Sequence, residues 1–427
     1  MPILWLRCPG LPRPPLCSIS RGRWLSLALG LMAVVTGLAP AAPPSSGLIQ
    51  TPLRLAGVEY LGDLPTLIAA EQRLFERHGI AVEVAFTGSG RDNLAKLRAG
   101  ETDFALMALT PLVLDLLNDP NPGATDDPVI LASMLHSTSL NQVVFRTDQG
   151  IETPADLRGR RLALPQGTNA EFLWWVFRTM HGLEPGDLAV RHDPIDAIPA
   201  LLRAGHIDAA VIWEPDIARL RGQLGPRLGQ FSISRFYTAR WVLVTRRETA
   251  EARAEVCSAL LRAYRDAIDR IERQGRASLA RFAERFDAPL DELSRNWNAL
   301  DYDLSLDWSL IAALQGQLHW AERMIRQQDR QQDRQQDRQQ DRQQDRQQDR
   351  QQGQEQDRQQ DRQQSHQPAA QQTDPPAGWR LGQGDPPRPR QLSVLALIAA
   401  GPLRQQFPSA VGIPSQRPIP PRRAPER

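Results

Sequence analysis

The chain has 427 residues, 41% of them hydrophobic, and a formal net charge of +2 at pH 7. That length accommodates two or three folded units at about 100–200 residues each, and the near-neutral charge gives no basis for a nucleic-acid partner. Three cysteines, Cys8, Cys17 and Cys257, with no short spacing between them, exclude a cysteine metal motif and a disulfide framework.

An export pattern occupies residues 1–41. Arg7, Arg13, Arg21 and Arg23 precede a charge-free apolar stretch from Trp24 to Leu38, and Ala39-Pro40-Ala41 supplies small residues for cleavage. A positive leader, an apolar run and a small-residue site in that order predict secretion to the periplasm. The run is shorter than the roughly 20 residues of a bilayer span; an uncleaved anchor is the alternative.

From Leu53 onward, short apolar runs alternate with helical patterns. Residues 51–139 carry predicted strands at Leu53–Val58, Ile80–Phe86, Phe104–Ala108 and Val129–Leu135. Between them Leu64, Leu67, Ile68, Leu74 and Phe75, then Leu94 and Leu97, then Pro111 to Leu117 follow helical spacing. Residues 140–239 repeat the scheme. Strands at Arg161–Leu164, Leu188–Arg191 and Ile207–Ile212 alternate with helices at Ala170–His181 and Ile195–Arg203. Extended segments at Asn141–Arg146 and Arg240–Thr245 flank this series and suit two crossings between lobes. Residues 240–326 then return to the first lobe, with only helices predicted from Glu248 to about Ile325. In one of these helices Cys257 reads as a small buried hydrophobe. The βαβα order predicts an α/β fold of two lobes, each a mainly parallel sheet flanked by helices, joined by two crossing strands.

Residues 327–364 repeat the tetrapeptide Gln-Gln-Asp-Arg, with degenerate copies at the end. With no apolar residue, the tract cannot add to a core. A helix there would stack Asp on Asp and Arg on Arg at i,i+4, partly offset by opposite charges at i,i+3. Residues 365–427, rich in Pro and Arg, are predicted disordered, and their one apolar run, Leu392 to Leu403, is too short to span a membrane. Everything beyond Ile325 is expected to be dispensable for binding.

Several strand-to-helix turns carry helix-start signals. Asp63 precedes Pro65; Ser89 and Asp92 have capping-box spacing between Gly88 and Gly90; Thr110-Pro111 reads as a cap followed by proline. Thr168 and Glu171 repeat the box after Gly167. Each residue can serve as a simple cap. Their convergence on one cleft would instead present free backbone N–H groups to an anion or polar acceptor. Trp213-Glu214-Pro215 ends a buried-type strand, and its ring and carboxylate suit either a core and helix start or a ligand contact. His136 to Ser139 lie where the cleft floor should be. The crowded Phe172, Trp174, Trp175 and Phe177 read as core. No catalytic or metal motif stands out.

Taken together, Tyr60-Leu61-Gly62-Asp63, "LIAAEQRLFERHGIAVEVAFTGSG", "LRAGETDFALMALTP", "IETPADLRGRRLALPQGTNAEFLWWVF" and "LLRAGHIDAAVIWEPDIARL" resemble the nitrate/sulfonate/taurine and thiamine-pyrimidine type of ABC solute-binding protein. The resemblance covers roughly Leu53 to Ile325 and implies a type II periplasmic-binding fold. It implies a ligand held between the lobes by Tyr60 and Asp63, by Gly88, Ser89, Gly90 and Arg91, by Thr110, by Ser137 and Thr138, by Thr168 and Asn169, and by Trp213 with Glu214. It further implies a monomer that captures a small organic solute (a sulfonate, a taurine-like zwitterion or a pyrimidine) for an ABC permease, without catalysis or cofactor. Asp63 and Glu214, if both face the cleft, favour a ligand with a hydrogen-bond donor. Two features depart from the family: the cysteine-rich motif of the pyrimidine-synthase branch is absent, and the glutamine-rich tail is foreign to it. The alternatives are a sensory module or an enzyme on the same fold. A pyridoxal-phosphate synthase would call on Lys96, the only lysine.

Overall fold

The computed structural model describes residues 52–119, 122–233, 237–364 and 394–413. The export pattern at 1–41 lies outside the described residues. The first lobe begins with strands β1 (Leu53–Val58), β2 (Val82–Thr87), β3 (Phe104–Ala108) and β4 (Pro128–Ser137). The second lobe contains β5 (Asn141–Arg146), β6 (Arg161–Leu164), β7 (Ala189–His192), β8 (Ala209–Trp213) and β9 (Leu228–Ser232). The chain returns through β10 (Ala239–Arg246) and ends the first sheet with β11 (Leu300–Ser305). The sheet orders are β11-β4-β10-β3-β1-β2 and β7-β6-β8-β5-β9. The chain passes between the sheets twice, from β4 to β5 and from β9 to β10, as the two-lobed reading requires.

Each sheet is mixed, around a set of strands that share one direction. β1, β2 and β3 pair in parallel, whereas β10 lies antiparallel between β3 and β4. In the second sheet β6, β7 and β8 are parallel, and β5 lies antiparallel between β8 and β9. The reversed neighbours are the strands beside the crossings, whose direction is set by passage between lobes, not by a helical crossover. β3 and β8 are buried at every position, as strands covered by helices on both faces should be.

Two strands were not anticipated. β11 replaces part of the expected all-helical return and pairs with β4. Its alternation of Leu300, Tyr302 and Leu304 with Asp301, Asp303 and Ser305 is the period-2 signal of a half-buried strand. β9 has no such alternation.

The C-terminal region also departs from expectation. One helix runs from Trp308 to Gln364, 57 residues, about 85 Å at 1.5 Å per residue. Its first turns bury Leu310, Leu314, Gln317, Leu318 and Trp320, whereas the repeat residues with a described environment are exposed. Residues 394–413, inside the stretch predicted disordered, dock on the first lobe. Val394, Leu397, Ile398 and Leu403 are buried. The Ala399 N–H donates to Ile130 O at 2.9 Å, and the Leu306 N–H donates to Ala410 O at 2.9 Å. Ile398 bridges Ile130 in parallel, on the part of β4 beyond the reach of β11. The described part of the apolar run, Val394–Leu403, therefore packs against a sheet edge, which removes unpaired backbone groups from water. The rest of the predicted disorder, at 365–393 and 414–427, lies outside the described residues. Among the described residues no helix is long and apolar enough to cross a membrane.

Candidate functional site

The site is built where helices start at the carboxyl ends of strands. The helix Gly90–Arg98 is set over β1 and β3 by Asn93, whose buried amide donates to Ala56 O at 2.9 Å and Leu106 O at 2.8 Å. Thr87 Oγ1 donates back to Asn93 Oδ1 at 2.6 Å. Ser89 caps this helix, accepting from the Asp92 N–H at 3.3 Å. A Cβ on Gly90 would sit 2.6 Å from Met107 Cβ, so only glycine lets the helix approach β3 this closely. In the second lobe Thr168 caps the helix Asn169–Met180, accepting from the Ala170 N–H at 3.3 Å. The remainder of its predicted box is altered: Glu171 accepts from the Gly167 N–H at 2.9 Å and faces His192 at 3.2 Å.

Between the lobes lies a small cavity. Val58, Tyr60, Gly90, Ala108 and Pro111 line it from the first lobe, and Asn141, Thr168, Asn169 and Trp213 from the second. Ala239, Arg240 and Trp241, where the chain re-enters the first sheet, complete the wall. Three aromatic residues dominate. The Tyr60 and Trp241 rings lie 4.6 Å apart, centroid to centroid, tilted by 52°, and Trp213 approaches from the other lobe. Asn141 Nδ2 donates to Tyr60 Oη at 3.4 Å across the cleft. None of the lining residues is acidic, and Arg240 is their one cation. Its guanidinium is buried against His136 Nε2 at 2.7 Å, Ser309 and Asp307. Burial and the Arg240 charge hold the His136 imidazole below its ordinary range, consistent with a neutral ring accepting from Arg240.

The mouth of the cleft is a second, wider space. Gly88, Ser89 and Arg91 face Gln166, His192 and Ile195 there. Arg91 Nη1 donates to Gln166 O at 3.1 Å, so the lobes meet.

Of the residues expected at the ligand, Tyr60, Gly90, Thr168, Asn169 and Trp213 line the cavity, and Gly88, Ser89 and Arg91 line its mouth. The others lie elsewhere. Asp63 is 2% exposed. It accepts from the Val58 N–H at 2.8 Å and the Thr66 hydroxyl at 2.5 Å, and burial pushes its carboxyl up to about 7. Glu214 is fully buried, accepting from the Ala218 N–H at 2.8 Å and Asn296 Nδ2 at 2.9 Å. Burial pushes it too up to about 7. Thr110 lies within the helix Leu109–Asn118 rather than capping it. Ser137 Oγ closes the turn between the lobes, accepting from the Ser139 and Leu140 N–H groups at 3.2 and 3.3 Å. Neither Ser137 nor Thr138 lines the cavity. Lys96 pairs with Glu101 at 3.2 Å on the exposed side of its helix. Sequence reasoning missed Asn141, Arg240 and Trp241. Their signal was position, at the first residues of the two segments read as crossings.

Residues 63–274 match the family model described as NMT1/THI5 like. Over that stretch, just under half of its length, the chain is similar to the NMT1/THI5-like family. The fold is similar to that of the alkanesulfonate-binding protein from Xanthomonas axonopodis pv. citri bound to MOPS. That match has a TM-score of 0.55 and 20% identity, over 66% of this chain and 95% of that one. The periplasmic aliphatic sulphonate binding protein of Escherichia coli matches with a TM-score of 0.55 and 16% identity, over 66% of this chain and 93% of that one. At these identities the likeness speaks for the fold. A Brucella abortus protein designated a binding protein is 28% identical over 202 residues, 46% of this chain and 56% of that protein. The taurine-binding periplasmic protein of Escherichia coli is 23% identical over 210 residues, 48% of this chain and 62% of that protein. The chain thus spans a little over half the length of the curated relatives it matches.

Proposed function

We propose that this protein is the periplasmic solute-binding component of an ABC importer. It acts as a monomer, without chemistry of its own, closing over a small organic solute and delivering it to a permease. The observation that carries this reading is the interlobe cavity itself. The starts of three helices, at Gly90, Leu109 and Asn169, meet around it, and helix starts favour an anionic group. Tyr60, Trp213 and Trp241 offer apolar faces to the rest of the ligand. Asp63 and Glu214 are bonded within the scaffold, so the case for a donor-bearing ligand that rested on them lapses. An organic anion such as a sulfonate or a taurine-like zwitterion fits better than a pyrimidine. The names of the taurine-binding and alkanesulfonate-binding relatives support the same class.

Mass spectrometry of solute released from the purified protein should find such an anion. Calorimetry with that solute, taurine, an alkanesulfonate and nitrate should rank the organic anions above nitrate. If no small molecule binds, the proposal fails. A second reading, pyridoxal-phosphate chemistry at Lys96, gains nothing from the position of that side chain.

A further inference from the structure

Beyond the two chain crossings, a third element joins the lobes. The helix Trp308–Gln364 packs along the first-lobe helix Leu109–Asn118 and also reaches the second lobe. Trp320, 4% exposed, meets the edge of Phe172, 6% exposed, with ring centroids 5.3 Å apart and planes at 69°. Phe172 stands on the helix whose first residue, Asn169, lines the cavity. One turn earlier, Gln317 is completely buried. Its Nε2 donates to Tyr237 Oη at 2.7 Å, and its Oε1 accepts from the Thr110 hydroxyl at 2.8 Å. The same Thr110 hydroxyl proton is shared with Asn169 Oδ1, 3.2 Å away across the cleft. Tyr237, beside the second crossing, also packs its ring edge-on to Phe172 at 5.1 Å.

We infer that the first turns of this C-terminal helix are a strap across the cleft, with Gln317 and Trp320 as positioning residues that hold Asn169 and its helix against the first lobe. Opening the cleft by a hinge motion would separate Phe172 from Trp320 and Asn169 from Thr110. It would leave Gln317, a buried amide, with fewer partners, and such groups are costly to strand. An edge-to-face aromatic pair adds to that restraint. The strap therefore biases the lobes toward the closed arrangement even without solute, and lowers the differential contact a ligand must supply to close them.

The lobe-to-lobe distance tests this without any solute, so its outcome is separate from that of the binding proposal. In the full chain, with Cys8 and Cys17 replaced by serine and Cys257 left buried, spin labels go on Glu83→Cys and Arg203→Cys. Both positions are exposed, one on each lobe. Double electron–electron resonance should give one dominant short distance for the parent protein. Trp320→Ala should raise the open-to-closed ratio about 2- to 10-fold, the weight of one aromatic pair. Gln317→Leu should move it the same way. Trp320→Phe, which keeps a ring edge for Phe172, should restore the short distance, and Arg330→Ala on the exposed arm should leave it unchanged. Identical distributions in the parent, Trp320→Ala and Gln317→Leu would overturn the strap. If Trp320→Ala loses its circular dichroism, the milder Gln317→Leu decides alone.

Discussion

Two turns, one in each lobe, pair an aromatic residue with an acid: Tyr60 with Asp63, and Trp213 with Glu214. In both, the ring lines the cavity and the carboxylate is bonded into the scaffold. The two turns also touch, the Leu61 N–H donating to Glu214 O at 3.3 Å. The shared division of labour has a shared cause. Each acid sits where free backbone N–H groups need an acceptor, Val58 in one turn and Ala218 in the other, and unpaired buried donors are costly. The aromatic side chains have no such local claim on them and remain available to the cavity. An acid beside a cleft is therefore weak evidence for a ligand contact until its local donors are counted.

The sharpest way to break this comparison is Glu214→Ala. It strands the Ala218 N–H and the Asn296 amide and should cost about 2–4 kcal/mol of stability by urea denaturation. Solute affinity of the folded fraction should stay within about threefold. A large affinity loss at unchanged stability would return Glu214 to the ligand. Trp213→Ala should do the reverse, weakening solute binding in calorimetry by at least about tenfold, as for a buried aromatic anchor. Unchanged affinity there would remove the ring from the site.

A smaller effect separates the acids from the rings by pH. Burial raises the carboxyls of Asp63 and Glu214 from 3.8 and 4.5 to about 7. The native state then holds protons that the unfolded chain has released. The stability these groups contribute is full below about pH 4 and is lost as pH rises toward 7. The parent protein should accordingly gain more in Tm between pH 8 and pH 5 than Asp63→Asn does, by roughly 2–4 °C. Equal gains would mean that Asp63 ionises freely in the native state. The smallest effect is the baseline for the others. Deleting Gln327–Gln364 while keeping the residues that follow should change stability by less than about 0.5 kcal/mol and leave affinity unaltered. The 29 intervening residues, 365–393, can span up to about 95 Å when extended, so residues 394–413 can still dock. Truncation after Ile325 is a different change, because it removes that docked segment as well.

Much of the architecture was legible because it rests on local pattern. Apolar runs bounded by glycine and polar turns marked β1, β3, β4, β6 and β8, and Ser89 and Thr168 announced their helices by residue type and spacing alone. The cavity-lining Tyr60, Gly90, Thr168, Asn169 and Trp213 were found for a related reason: in α/β folds the strand ends that start helices are also the cleft. Asn141, Arg240 and Trp241 were missed because nothing local distinguishes the cleft-facing end of a crossing strand.

What the sequence by itself determined is the set of elements, their alternation and the helix starts, since these follow from side-chain period and from the hydrogen bonds of a few neighbouring residues. Only the tertiary structure decided which way each turn's side chains point, because Val58 and Ala218 claim the acids through backbone geometry that no spacing encodes. It also decided the fate of the C-terminal region. An apolar run at Leu392–Leu403 says that something must cover it, but not what. The answer depends on β11 stopping at Ser305 and leaving Ile130 on an open edge of β4, a vacancy created by residues nearly a hundred positions upstream.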